Sequence, residues 1–114
     1  MKGVKLTKVF IIPVHVTHLD KSIMPTDFSE AYASCYATGV TYVDAAKIVL
    51  KRLSDDGLHP QKILQPVHEM NEDDWAEHVG EKWMQHAKSL PSQVEFIEAM
   101  RSNKVVYGPF GSIA

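Results

Sequence analysis

Apolar and polar residues change period along this chain, and the changes divide it into elements. Ile12, Val14 and Val16 alternate with Pro13, His15 and Thr17, the two-residue period of a half-buried strand. The run Val9-Phe10-Ile11-Ile12 just before it suggests burial on both faces, so Val4 to Leu19 reads as extended. Pro13 has no N–H to give a ladder, which predicts an edge strand or a bulge there. The turn formers Asp20, Ser22, Pro25 and Thr26 mark Asp20 to Asp27 as a loop.

Two readings are open for Phe28 to Thr38. As a helix it has Asp27 and Glu30 for a capping box and Phe28, Ala31, Tyr32 and Cys35 at helical spacing. As a strand, Ala31, Ala33, Cys35 and Ala37 share one face and Tyr32, Ser34, Tyr36 and Thr38 the other. The strand is favoured, because Gly39 to Thr41 makes a short connection of βα type. A row of small residues would also let a helix sit close.

Tyr42, Ala46, Val49, Leu50 and Leu53 form one apolar helical stripe over Tyr42 to Asp56, with Lys47, Lys51, Arg52 and Asp55 outside it. Thr41 can cap this helix, with Asp44 as an imperfect box partner, and Gly57 suits the left-handed residue that ends it. Lys62 to Met70 alternates as a strand, with Pro66 again pointing to an edge or a bulge. A second helix is expected from Asn71, with acidic Glu72, Asp73 and Asp74 in its first turn and Trp75, Val79, Trp83, Ala87 and Leu90 inward. Pro91 interrupts it. Ser92 and Glu95 make a proper capping box for a short helix burying Phe96, Ile97 and Met100. Val105 to Tyr107 is a last strand, and Gly108-Pro109-Phe110-Gly111 a turn-rich tail. The order β-β-α-β-α-α-β predicts a single α+β domain over residues 1–114. It would be a two-layer sandwich with a roughly four-stranded, mainly antiparallel sheet and two to three helices on one face, loosely ferredoxin-like.

Composition narrows the function classes. At 114 residues and 45% apolar content the chain has enough core without staples, which argues against disorder. A formal charge of −2 and scattered basic residues argue against nucleic acid. A lone cysteine, Cys35, excludes an intramolecular disulfide and a thiolate metal site. No stretch reaches the roughly 18 apolar residues that span a bilayer, and the Val9–Val16 segment lacks signal-peptide features. The expected compartment is the cytoplasm, and no cofactor motif is present.

Six histidines are the richest source of chemistry. His15, His18 and Asp20 are candidate metal ligands, although His15 and His18 point to opposite faces of an unbroken strand. His15 and His68 are candidate bases, and Cys35 a candidate nucleophile without a surrounding motif, for which a core position is the plainer reading. His78 and His86 are rotated by about 80° from each other on the second helix, so with Asp74, Glu77 and Glu81 they read as a charged exposed face. Two functions are expected from this. The first is a protein-interaction module: a homodimer, an inhibitor or immunity-type partner, or an adaptor. Its contacts would be Glu72, Asp73, Asp74, Trp75, Trp83 and Phe110. The alternative is a small cofactor-free enzyme or small-molecule binder. Its pocket would lie between sheet and helices, lined by Tyr36, Trp75 and Trp83, with His15 or His68 as base.

Overall fold

The computed structural model describes residues 8–18 and 30–112. Among these residues the sheet is antiparallel throughout and has six strand segments in four positions. A long hairpin forms the centre: β1 (Lys8–His18) pairs β2 (Glu30–Gly39) from Lys8↔Gly39 to Thr17↔Glu30. Along the outer side of β1 run β3 (Leu58–Ile63) and β4 (His68–Met70). Along the outer side of β2 run β5 (Val106–Tyr107) and β6 (Gly111–Ser112). The α+β class and the mainly antiparallel sheet agree with the sequence reading. Residues 30–39 resolve as strand.

Pro13 sits in a central strand, not at an edge. The edge strand beside it is what breaks: β3 ends at Ile63 and β4 begins at His68, opposite the proline. Its carbonyl accepts from Leu64 N at 2.8 Å, and the missing N–H faces the interruption, where no ladder bond is due. The expected single strand over residues 62–70 is therefore two short ones. A register shift between His15 and Val16 adds a bulge on the same side.

The helices occupy both faces of the sheet, which corrects the expectation of helices on one face. Helix α1 (Tyr42–Asp55) covers Phe10, Ile12, Val14 and Val16 of β1 and Ala31, Ala33, Cys35 and Ala37 of β2. The small β2 residues permit its close approach. Gly39 extends that approach to the turn: a Cβ there would stand 2.7 Å from Thr41 O and 2.8 Å from Ala45 N. Thr41 caps α1 by accepting from Asp44 N, and Gly57, at φ 78°, follows its end. Tyr107 donates to Asp56 Oδ2 at 2.6 Å, and Arg52 pairs with the same oxygen at 3.1 Å, tying β5 to the end of α1.

The opposite face carries Val9 and Tyr36 under α2 (Trp75–Lys82) and α3 (Gln93–Arg101). Strand alternation divides neighbours between the two layers: Cys35 and Ala37 point to α1, Tyr36 and Thr38 to α2 and α3. The expected capping box forms, with Ser92 Oγ accepting from Glu95 N at 3.1 Å and Ser92 N donating to Glu95 Oε1 at 2.8 Å. Among the described residues no helix is long and apolar enough to cross a membrane.

Candidate functional site

The site begins where the second helix departs from its expected course. Glu72–Asp74 is a 3₁₀ turn, α2 lasts eight residues, and Met84–Ser89 is again 3₁₀. The break falls at Trp83, whose backbone leaves the helix at φ −127° and ψ 28°. Just beyond it the stripe loses its cover, with Met84 73% exposed and Ala87 exposed, and packing resumes only at Leu90. A helix this short depends on tertiary packing, so it stops where packing stops. Trp83 instead turns its indole towards the sheet, where the ring packs beside Gly108 and its N–H meets Tyr36.

Three side chains converge there. Trp83 Nε1 donates to Tyr36 Oη at 2.8 Å, and Tyr36 Oη lies 2.7 Å from His78 Nε2. The indole N–H is a donor only, so Tyr36 Oη accepts from Trp83, and which partner donates in the Tyr36–His78 contact is set by the His78 tautomer. Burial pushes the Tyr36 phenol up to about 12, against the downward pull of the Trp83 hydrogen bond. Burial likewise lowers His78 below its ordinary value, helped by nearby Lys82 and opposed by Glu81. Tyr36 is thus a neutral hydroxyl near pH 7, and burial and Lys82 both disfavour a charge on His78. Trp75 supports them from behind. It stacks on Phe96 with centroids 4.2 Å apart, meets the Tyr36 ring edge-on at 5.0 Å, and donates its N–H to Pro91 O at 2.8 Å.

In front of this network is a pocket of about 470 Å³. Its floor is one cross-strand row, because His68 pairs Ile11 and Ile11 pairs Tyr36. Ser34 extends the floor along β2. The wall is the end of α2, with His78, Glu81 and Lys82, closed by Trp83. The volume lies within the range of small-molecule sites, and the lining mixes an apolar floor with a few polar groups. No protein-family model, curated protein or solved structure matches this chain.

The residues singled out by sequence do not all come together. Tyr36, Trp83 and His68 come together at the pocket. Trp75 does not line it, being fully buried behind Tyr36, and for the same reason it is withdrawn from any partner surface. Cys35 is in the core under α1, where its thiol donates to Ala33 O at 3.6 Å and burial pushes it far up, away from any base. His15 lies beyond the pocket beside Tyr32, with ring centroids 6.5 Å apart. Of the remaining metal candidates, Asp20 and the side chain of His18 lie outside the described residues. Among the described residues no three His, Cys, Asp or Glu are grouped to hold a metal ion. Glu72 is half-buried and paired with Arg101 at 2.7 Å, Asp73 and Asp74 are exposed, and Phe110 packs beside Tyr107.

The charged-face reading of the second helix holds for Asp74, Glu77 and His86, all exposed, and fails for His78. A local signal for His78 does exist. It follows Trp75 by three residues, which sets it on the flank of the buried stripe, where a polar residue meets the sheet rather than open water.

Proposed function

We propose that this chain binds a small organic molecule in the pocket between the His68–Ile11–Tyr36 row and the end of α2. The observation that carries the reading is the buried phenol at the pocket floor, held between the Trp83 indole and the His78 imidazole. Buried polar networks are costly unless every member is satisfied, and a satisfied one in a cleft marks a position where orientation matters. The ligand this lining suits is amphiphilic, with an apolar body over Ile11 and Trp83 and a polar end near His68, Glu81 and Lys82. His68 is the base candidate the pocket supports. His15 belongs to the far end of the same sheet face.

The test is a screen of small aromatic fragments by two-dimensional NMR, read at the Trp83 indole N–H. Binding fragments shift this signal, and Ser34→Phe, which fills the pocket from β2, abolishes the shift. If no fragment moves the Trp83 signal at millimolar concentration, the reading is wrong.

A second reading, a protein-interaction module that self-associates or engages another protein, has one observation in its favour. Val40 is 75% exposed at the rim of a groove of about 1010 Å³ lined by Asp44, Glu72, Asp73 and Arg101. Light scattering that finds a dimer, dissolved by Val40→Asp, would move the weight to this surface.

A further inference from the structure

Helices α2 and α3 cover only one end of their side of the sheet. Val9 and Tyr36 are buried there, whereas Pro13, His15 and Thr17 farther along β1 are half-buried and Tyr32 on β2 is 43% exposed. On the α1 side of the same stretch Val14 and Val16 are fully buried. Among the described residues, then, this half of the sheet is covered on one face and open on the other.

The open half carries rings and a cation in one row. His15 pairs Tyr32 on β2 and Lys62 on β3, which sets the three side chains on the same face. The His15 and Tyr32 rings are neighbours, with centroids 6.5 Å apart. On its other side Tyr32 pairs Gly111, which has no side chain to flank the ring. Ser34, two residues along β2 from Tyr32, leads into the pocket, where Lys82 and the half-buried Trp83 indole stand. Pocket and open half therefore form one continuous surface with a ring towards each end.

Lys62 and Lys82 are both exposed and belong to none of the ion pairs among the described residues, which take up Lys8, Lys51, Arg52 and Arg101. Against them the pocket sets one carboxylate, Glu81. The chain's formal charge of −2 is an average, and this surface departs from it in sign. A second copy laid face to face would set these lysines against their own kind. The partner that suits the surface has flat π-faces for the rings and negative charge for the lysines. Single-stranded nucleic acid has both, whereas a duplex keeps its base faces stacked on one another.

We propose that the open half of the sheet binds a short segment of single-stranded nucleic acid, with a base stacked on Tyr32 and phosphates towards Lys62 and Lys82. This goes beyond the pocket reading and does not depend on it.

The experiment follows fluorescence anisotropy of labelled oligo(U) and oligo(dT) of about ten nucleotides, at about 50 mM and about 200 mM salt. A duplex of the same length and a polyglutamate peptide are the controls. Single strands are expected to bind about tenfold more tightly than either control, and the better of the two strands tells RNA from DNA. Tyr32→Ala weakens single-strand binding about tenfold and Tyr32→Phe retains it, because stacking needs the ring and not the hydroxyl. Lys62→Gln weakens both strands and lowers the salt dependence by about one counterion. An unchanged Trp83 indole signal in these variants shows that they fold. If the duplex binds as well as the single strands, or Tyr32→Ala changes nothing, the attraction is charge alone and the proposal is wrong. Polyglutamate binding as tightly would assign the surface to an acidic protein and also overturn it, as would no binding of any probe at the lower salt. None of these outcomes touches the pocket reading, which the fragment response at Trp83 decides.

Discussion

The two faces of the sheet are built from different materials. Among the described residues, those buried under α1 are, apart from Phe10, aliphatic or small, from Ile12, Val14 and Val16 to Ala33, Ala37, Val49 and Leu53, with the Cys35 thiol the one polar side-chain group among them. Under α2 and α3 the buried set adds to Val9, Val79, Met100 and Val106 a cluster of rings, Tyr36, Trp75 and Phe96, joined by the half-buried Trp83, and Tyr36, Trp75 and Trp83 carry polar ends. Among the described residues no buried side-chain nitrogen or oxygen lacks a hydrogen-bond partner. The first face needs only hydrophobic groups of suitable volume, which many sequences would supply. The second needs particular donors opposite particular acceptors. A polar network kept at such a demand, beside a cleft, is where specificity is expected. The comparison teaches that the two sides of the sheet are held by different kinds of contact, hydrophobic volume under α1 and paired polar groups among rings under α2 and α3.

The largest effect expected from breaking this division comes from a deletion in each core. Trp75→Ala removes the ring stacked on Phe96 and behind Tyr36, and is expected to cost about 3–5 kcal/mol, while Leu53→Ala beneath α1 costs about 2–5 kcal/mol. Denaturant unfolding measures both. The faces differ in the second readout, the NMR signal of the Trp83 indole N–H: Trp75→Ala shifts it and Leu53→Ala leaves it in place. A comparable shift from Leu53→Ala would mean that the faces are coupled rather than separable.

A smaller and more pointed change is Tyr36→Phe. It keeps the ring and removes only the hydroxyl, which strands the Trp83 N–H and the His78 Nε2 together. The expected loss is about 1–3 kcal/mol, the cost of buried groups left without partners. The His78 midpoint should also move, because its Nε2 loses the hydroxyl it is hydrogen-bonded to. An unchanged midpoint would show that Tyr36 does not set the state of His78.

The same division governs how much was legible in the sequence. The α1 side follows local rules: the stripe from Tyr42 to Leu53, the Thr41 cap, Gly57 after the end, and the short Gly39–Thr41 connection that favours strand over helix for β2. The aromatic side follows contacts between distant residues. Tyr36 and His78 are 42 positions apart, and Trp83 leaves its helix to reach a hydroxyl 47 positions away. Helical periodicity carries no information about such a partner, so the pattern continued through Trp83 and assigned His78 to solvent. Pro13 was misleading for a related reason. A proline rule speaks of the strand that contains it, while here the neighbouring strand makes the accommodation by stopping opposite it. The helices were set on one face because each amphipathic stripe says what it buries but not against which side of the sheet.

The smallest effect expected is a dependence of stability on pH confined to the aromatic face. His78 is held below its ordinary value of 6.5 by burial first and by Lys82 second. The unfolded chain therefore binds a proton at His78 at a higher pH than the folded chain does. Stability from this group is fully present above about pH 6.5 and is lost as pH falls through the lower folded value. Half-burial keeps the loss modest. Glu95 acts in the same direction but in a separate window. Its hydrogen bonds with Ser92 lower it from 4.5, so its contribution fades only below that point. Denaturation midpoints measured from about pH 7.5 to about pH 5.5 should accordingly decline slightly in the unaltered chain and stay flat in His78→Gln. Ala45→Gly, on the α1 side, should lower every midpoint and keep the slope. If His78→Gln declines as steeply as the unaltered chain, the titrating group lies elsewhere and the Tyr36–His78 bond is not what distinguishes the two faces.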